Sequence, residues 1–202
     1  TVNSLVGNIT SSSYNSNINH STNDDGYWTF SSSTGTGIEF DSITSFMPLG
    51  SSNMTYEAWI LPTGMVNAVL SLNRTYNNSS TERLNFAILE TFFGAPTLNA
   101  VKGTSNNNNA TTSISTGYTS SPPYWTHVVV SHDTSTGTVK IYIDGSLVKT
   151  DTDTTNWSSY FNADDYILRI GSWAGNLMIG NISIVRIYKG KALTASEVTK
   201  NY

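Results

Sequence analysis

The chain has 202 residues, enough to bury the core of one β-sandwich domain without metal or disulfide staples, and it contains no cysteine. Only 12% of the residues are charged and the net charge is −4, which leaves no basic footprint for nucleic acid. No apolar run reaches the length of a membrane span, so no membrane insertion is expected. Ser, Thr and Asn dominate the polar residues, giving the neutral, hydroxyl- and amide-rich surface common on extracellular and virion-surface proteins. The chain opens on Thr1 with no visible signal peptide, as a processed or excised piece would.

Residues 1–23 are polar with scattered Val2, Leu5, Val6, Tyr14 and Ile18, and read as a polar N-terminal segment or an edge strand. A single domain is expected over residues 24–202. Residues 27–30 and 37–40 predict two short strands, and residues 54–61 a longer one stopped by Pro62, which has no N–H for a ladder. Strands over 66–72, 84–90, 98–102 and 114–118 follow, with polar loops between them and a low-complexity run of Asn at 106–109 as a hairpin tip.

Residues 124–150 give the clearest pattern. Trp125 to His132 is an apolar, β-branched run that ends in a turn cluster closed by Gly137. Val139, Ile141 and Ile143 alternate with Lys140, Tyr142 and Asp144, the period of a strand with one buried face. Asp144-Gly145 suits a type I′ hairpin turn, in which both central residues need positive φ. A long loop over 151–165 leads to a strand over 166–172, a turn over 173–177 and a closing strand over 179–188. Thr194 with Glu197 forms a capping box that opens one short helix. Many short strands and almost no helix predict an all-β, antiparallel two-sheet sandwich, with Trp59, Trp125, Ile141, Ile143, Val185 and Ile187 in the shared core.

Three blocks carry a family resemblance. They are Met54-Thr55-Tyr56-Glu57-Ala58-Trp59-Ile60-Leu61-Pro62, the Trp125-Thr126-His127-Val128 strand with the Tyr142-Ile143-Asp144-Gly145 hairpin, and residues 181–188 followed by Ala192 to Val198. Together, over roughly residues 27–202, they resemble the laminin-G-like jelly rolls of the concanavalin-A-like lectin/glucanase superfamily.

That superfamily contains glycosidases, which place acids at alternate positions of one strand. Retaining enzymes need two carboxyl groups about 5–5.5 Å apart. Glu39-Phe40-Asp41 has two at that spacing, but the next same-face position is Ile43, so the set is incomplete. His20, His127 and His132 are the only imidazoles, no Gly-X-Ser-X-Gly elbow accompanies them, and His127 reads as a hydrogen-bonded sheet histidine. No catalytic residue is therefore expected.

The resemblance implies one candidate cofactor, calcium, held at the sandwich rim by Asp, Asn and backbone carbonyl oxygens. Asp151, Asp164 and Asp165 are the foremost candidate ligands, with Asp24, Asp25 and Asp153 as further donors. Against it, Ser183 stands where the family commonly carries an acid.

Sugar recognition needs an aromatic face beside planar hydrogen-bonding groups, because a pyranose has an apolar face and a polar rim. Trp157, Tyr160 and Asn156 in the long loop supply these types, as do Trp173 and Asn176 in the following turn. The alternative for these aromatics is that they cap the core at its open end. The intervening strand spans roughly 20 Å, so the second pair is ranked below the first as a separate site. Asn-X-Ser/Thr starts at Asn8, Asn19, Asn53, Asn73, Asn77, Asn78, Asn109, Asn156 and Asn181. In a chain this rich in these residues, chance accounts for the pattern; glycosylation is the alternative if a eukaryotic secretory pathway makes the protein.

The expected function is non-catalytic recognition of a glycan or glycoprotein receptor, by a module displayed on a virion, filament or cell surface. Residues 186–194 are similar to tails of phage and other viral structural proteins. The alternatives are an assembly domain of a viral fibre, filament or capsid decoration, partnered by neighbouring domains or copies, and a degenerate glycoside hydrolase.

Overall fold

The computed structural model describes residues 13–14, 18–21, 26–31, 37–40, 52–63, 69–74, 86–90, 97–103, 111–119, 124–152, 166–173 and 176–202. In chain order the strands begin with β1 (Ser13–Tyr14), β2 (Ile18–Ser21), β3 (Tyr27–Phe30), β4 (Ile38–Phe40), β5 (Met54–Pro62) and β6 (Leu70–Arg74). They continue with β7 (Phe86–Glu90), β8 (Thr97–Gly103), β9 (Thr111–Thr119), β10 (Thr126–Asp133), β11 (Thr138–Ile143) and β12 (Ser146–Thr152). The last are β13 (Tyr166–Ile170), β14 (Ser172–Trp173), β15 (Asn176–Leu177) and β16 (Gly180–Lys189), before helix α1 (Ala195–Asn201).

Two seven-stranded antiparallel sheets result. Sheet A runs β1-β4-β13-β6-β7-β8-β9, sheet B runs β12-β11-β10-β5-β16-β3-β2, and β14 and β15 form a separate two-stranded hairpin. This is the jelly-roll sandwich with one short helix. Segments 13–14 and 18–21 pair at the edges of the two sheets, β1 on β4 and β2 on β3.

Alternation decides which side chains meet between the sheets. Ala58 and Ile60 of β5 lie opposite Val128 and Thr126 of β10, and Val128 lies opposite Ile143 of β11. With Phe30, Ile38, Val69, Leu177, Met178 and Ile182, the residues Ala58, Ile60, Val128 and Ile143 form the inter-sheet core. Burying one such side chain stabilises the fold by about 1.5–3 kcal/mol. The hairpin between β11 and β12 has Asp144 at φ 48° and Gly145 at φ 74°, as a type I′ turn requires.

The opposite face of sheet B is also covered. Residues 191–193 and α1 lie over it, where Leu193 and Val198 pack on Val129 and Tyr142. Both faces of β5 are therefore buried, and its first five residues carry no exposed side chain.

The expected core needs correction here. Ile141 and Ile143 are buried and Val185 packs against the inter-sheet core, but Ile187 is only half-buried. Trp59 faces outward, cross-strand from His127, where its indole stacks on Tyr202. Trp125 is half-buried and meets Tyr27 edge-on, with ring centroids 5.8 Å apart. Each sits on the face that the helix side covers or at a strand end, positions that an apolar run does not distinguish from the shared core.

A candidate recognition site on sheet A

The hairpin formed by β14 and β15 grows from the end of β13, and three backbone features fix its base. Gly171 sits at φ 72°, a conformation open to glycine, and a Cβ there would run into the Phe30 ring. Its N–H donates to the Val69 carbonyl at 2.9 Å, and its own carbonyl accepts from the Met178 N–H at 2.9 Å. Leu177 and Met178, both fully buried, plug the returning arm into the inter-sheet core. Between these anchors Trp173 and Asn176 are direct cross-strand partners. The stretch expected as a turn is thus a two-stranded ladder that pairs two of the candidate sugar-contacting residues.

The outward face of sheet A begins beside it. Arg169 of β13 is flanked by Glu39 of β4 and Ser71 of β6, one on each neighbouring strand. The Arg169 Nε donates to Glu39 Oε1 at 2.6 Å, with both side chains largely covered. Ser71, fully buried, donates its hydroxyl to the Ser172 carbonyl at 2.6 Å, which ties the hairpin to the sheet one strand from that ion pair. Glu39, the first acid of the incomplete glycosidase pattern, is therefore held by a guanidinium. Asp41 lies outside the described residues.

Trp157, Tyr160, Asn156, Asp164 and Asp165 also lie outside the described residues, as do Asn8, Asn77, Asn78 and Asn109 among the glycosylation candidates. Asn19 and Asn73 fall in β2 and β6. Asn181 is half-buried in β16, and Asn53 accepts through Oδ1 from the Thr134 N–H and hydroxyl at 2.9 and 3.1 Å.

Asp151 ends β12. Its Oδ1 accepts from the Thr152 N–H at 2.8 Å and its Oδ2 lies 3.9 Å from Lys149 Nζ. Ser183 donates to the Gly26 carbonyl at 3.0 Å. Among the described residues no three His, Cys, Asp or Glu side chains converge.

A second polar cluster escaped the sequence reading. On the outward face of sheet B, the fully buried Glu57 carboxylate accepts at Oε1 from His127 Nε2 at 3.2 Å and from Arg186. Its Oε2 accepts from Tyr188 Oη and Asn201 Nδ2, each at 2.8 Å. Burial pushes the Glu57 pKa up, but hydrogen bonds from His127, Tyr188 and Asn201 and the charge of Arg186 hold it below the ordinary value. Burial and donation to Glu57 push the Tyr188 pKa up to about 12. His127 lies under the Trp59 and Tyr202 rings, its Nδ1 buried without a hydrogen-bond partner. A base so enclosed binds the sheet together rather than meeting a substrate. The available signal was the polar residues sharing one face of the sheet, Thr55 and Glu57 of β5, His127 and Ser131 of β10, and Arg186 and Tyr188 of β16, each inside a resemblance block.

Residues 31–199 match the family model of the concanavalin A-like lectin/glucanases superfamily, laminin-G type. Domain 4 of AbnA, a GH43 extracellular arabinanase from Geobacillus stearothermophilus in complex with arabinotriose, is similar in structure. Its TM-score is 0.63 at 21% identity, covering 91% of this chain and 80% of that one. The Ruminococcus gnavus IT-sialidase CBM40 superposes with TM-score 0.60 at 12% identity, over 84% of this chain and 95% of its own, and a further structure holds it bound to alpha2,3 sialyllactose. Botulinum neurotoxin type C, whose cell entry depends on two ganglioside molecules, gives 0.51 at 16% identity over 90% of this chain and 40% of the toxin chain. No curated protein sequence matches the chain.

Proposed function

The chain belongs to the laminin-G type of the concanavalin A-like lectin/glucanase superfamily, and from that we propose that it is a non-catalytic carbohydrate-recognition module that works outside the cell. The observation that carries this reading is the pairing of Trp173 with Asn176 on a hairpin anchored to the outward face of sheet A. That register sets an indole-bearing residue opposite an amide-bearing one, the two chemistries that the apolar face and hydroxyl rim of a sugar require. The solved neighbours named above with arabinotriose and sialyllactose share the fold and support the same reading.

Trp157, Tyr160 and Asn156 extend the recognition surface from the 153–165 loop, and Asp151, Asp164 and Asp165 are the donors to test for calcium. The ion pair between Glu39 and Arg169 supports the non-catalytic side, because it engages the first acid of the incomplete glycosidase pattern with a neighbouring strand. Virion or filament display is the setting favoured by the surface composition. A glycan array probed with the wild-type protein, with and without a calcium chelator, tests the function. Binding that Trp173→Ala weakens supports it; hydrolysis of a bound glycan that Glu39→Gln abolishes refutes it.

A further inference from the structure

The contacts of α1 divide into two kinds along its length. At the near end, Thr55 Oγ1 donates to the Lys191 carbonyl at 2.9 Å and accepts from the Leu193 N–H at 2.9 Å. Ser131 Oγ donates to the Leu193 carbonyl at 3.1 Å. These are hydroxyl and amide groups that do not titrate in the acid range. At the far end, the side-chain bonds from Asn201 run from Nδ2 to Glu57 Oε2 and, at 2.9 Å, to Tyr188 Oη, which itself donates to Glu57. The far end therefore depends on one ionised carboxylate.

We infer that α1 is an acid-released latch over the outward face of sheet B, held at its far end by the Glu57 carboxylate and hinged at Leu193. The groups facing Glu57 are His127 from β10, Arg186 and Tyr188 from β16, and the neutral amide of Asn201 from α1. Oε1 meets the guanidinium and the imidazole, so an added proton goes to Oε2. That is the oxygen that holds the helix. Both of its partners donate to it, and an amide nitrogen has no lone pair to offer in return. The Tyr188 hydroxyl can turn to accept the new proton, so protonation sets donor against donor at the Asn201 amide, the partner that belongs to the helix, while the near end is untouched.

What then remains at the far end is the Asn201 bond to Tyr188 Oη, the stacking of Tyr202 on Trp59 and His127, the buried Val198 side chain and a bond of 3.4 Å from Thr199 Oγ1 to the Gly145 carbonyl. A free helix of this length does not hold its own structure in water. The first turn stays capped through most of the acid range, because Lys191 and Thr194 hold the Glu197 pKa at about 2.

The sign follows from the direction of the Glu57 shift. Its contribution is complete above the ordinary carboxyl value of 4.5 and is lost as pH falls through the lowered folded value. The latch is closed at neutral pH. In acid it opens onto Trp59, His127 and Val129.

Hydrogen exchange read by mass spectrometry on the whole chain tests this. Between about pH 7 and about pH 3, exchange across 195–202, corrected for its intrinsic pH dependence, should rise about tenfold or more relative to β10. Glu57→Gln, which cannot take up the proton, should remove the pH response. Asn201→Ala should release 195–202 at neutral pH without touching the buried carboxylate, so the inference stays testable if the first variant does not fold. An unchanged pH response in Glu57→Gln, loss of protection in 195–202 and β10 together, or full protection in Asn201→Ala overturns it.

Discussion

The ring of Tyr202 lies parallel to the indole of Trp59, 8° between planes and 5.6 Å between centroids. The contact joins the residue that ends α1 to the middle of the most buried strand of sheet B. Offset stacks of this kind contribute about 0.5–1.5 kcal/mol beyond area burial. Tyr202→Ala should therefore lower the melting temperature by a few degrees, at roughly 2–4 °C per kcal/mol for a chain of this size. Tyr202→Phe keeps the ring and should leave it unchanged. A thermal melt in which both variants match the wild type would remove the stack from the account.

Glu57 and Arg186 form one ion pair but should respond very differently to mutation. The Glu57 side chain is fully buried, whereas that of Arg186 is 41% exposed. Glu57→Leu leaves the His127 Nε2 and Tyr188 Oη donors without their acceptor inside the protein, at a cost of roughly 3–5 kcal/mol. Arg186→Met removes a guanidinium that already reaches water but leaves the buried carboxylate with three hydrogen-bond donors, and should cost less, roughly 1–3 kcal/mol. Urea denaturation with unchanged m-values measures both. Equal costs would mean that the pair, rather than the buried acceptor, carries the stability.

An alkaline limit follows from the tyrosines. Burial raises Tyr56, Tyr142 and Tyr188, with Tyr188 pushed up to about 12. A raised folded pKa gives stability that is complete below the unfolded value near 10 and disappears as pH rises through about 12. Tyr188→Phe should flatten part of this alkaline loss, and absorbance titration of the wild type should show tyrosinates appearing late. A Tyr188 titration at its ordinary value would contradict the bond to Glu57.

Gly171 links stability to recognition. Alanine there must hold φ 72° and displace the Phe30 ring, so Gly171→Ala should cost more than about 1 kcal/mol. Because Gly171 anchors the hairpin that pairs Trp173 with Asn176, the same variant should weaken glycan binding in the protein that remains folded. Destabilisation without weaker binding would detach the hairpin from the site.

Local pattern explains what the sequence made legible. The β10–β11–β12 meander was readable because Val139, Ile141 and Ile143 alternate and Asp144-Gly145 imposes its turn. Helix α1 was readable from the reciprocal bonds of Thr194 and Glu197. Trp59 was misplaced because both faces of β5 are covered, so apolar character on either side says nothing about which face meets sheet A. Glu57 was missed because its partners lie 70, 129, 131 and 144 residues away, which only strand pairing brings together. The Trp173 hairpin read as a turn because its strands are two residues each, too short for any periodicity.

If Trp157 and Trp173 both contact sugar, as proposed, binding measurements separate one shared ligand from two. An indole that stacks on a sugar contributes about 0.5–1.5 kcal/mol beyond the area it covers, so each Trp→Ala change should weaken its own site about 2- to 12-fold. If the 153–165 loop crosses to the hairpin, both residues touch one ligand. Calorimetry should then give one sugar per chain, and the double variant should depart from the product of the two single effects, as residues sharing a partner do. If the loop stays at the other end of β13, the two indoles are independent. Calorimetry should then give two sugars per chain, each single variant should impair one of them, and the double variant should multiply cleanly. The strand between them favours independence, since it separates its two ends by roughly 15–20 Å. Binding that survives both substitutions intact, in protein with an unchanged melting temperature, would move the recognition surface away from these aromatics altogether.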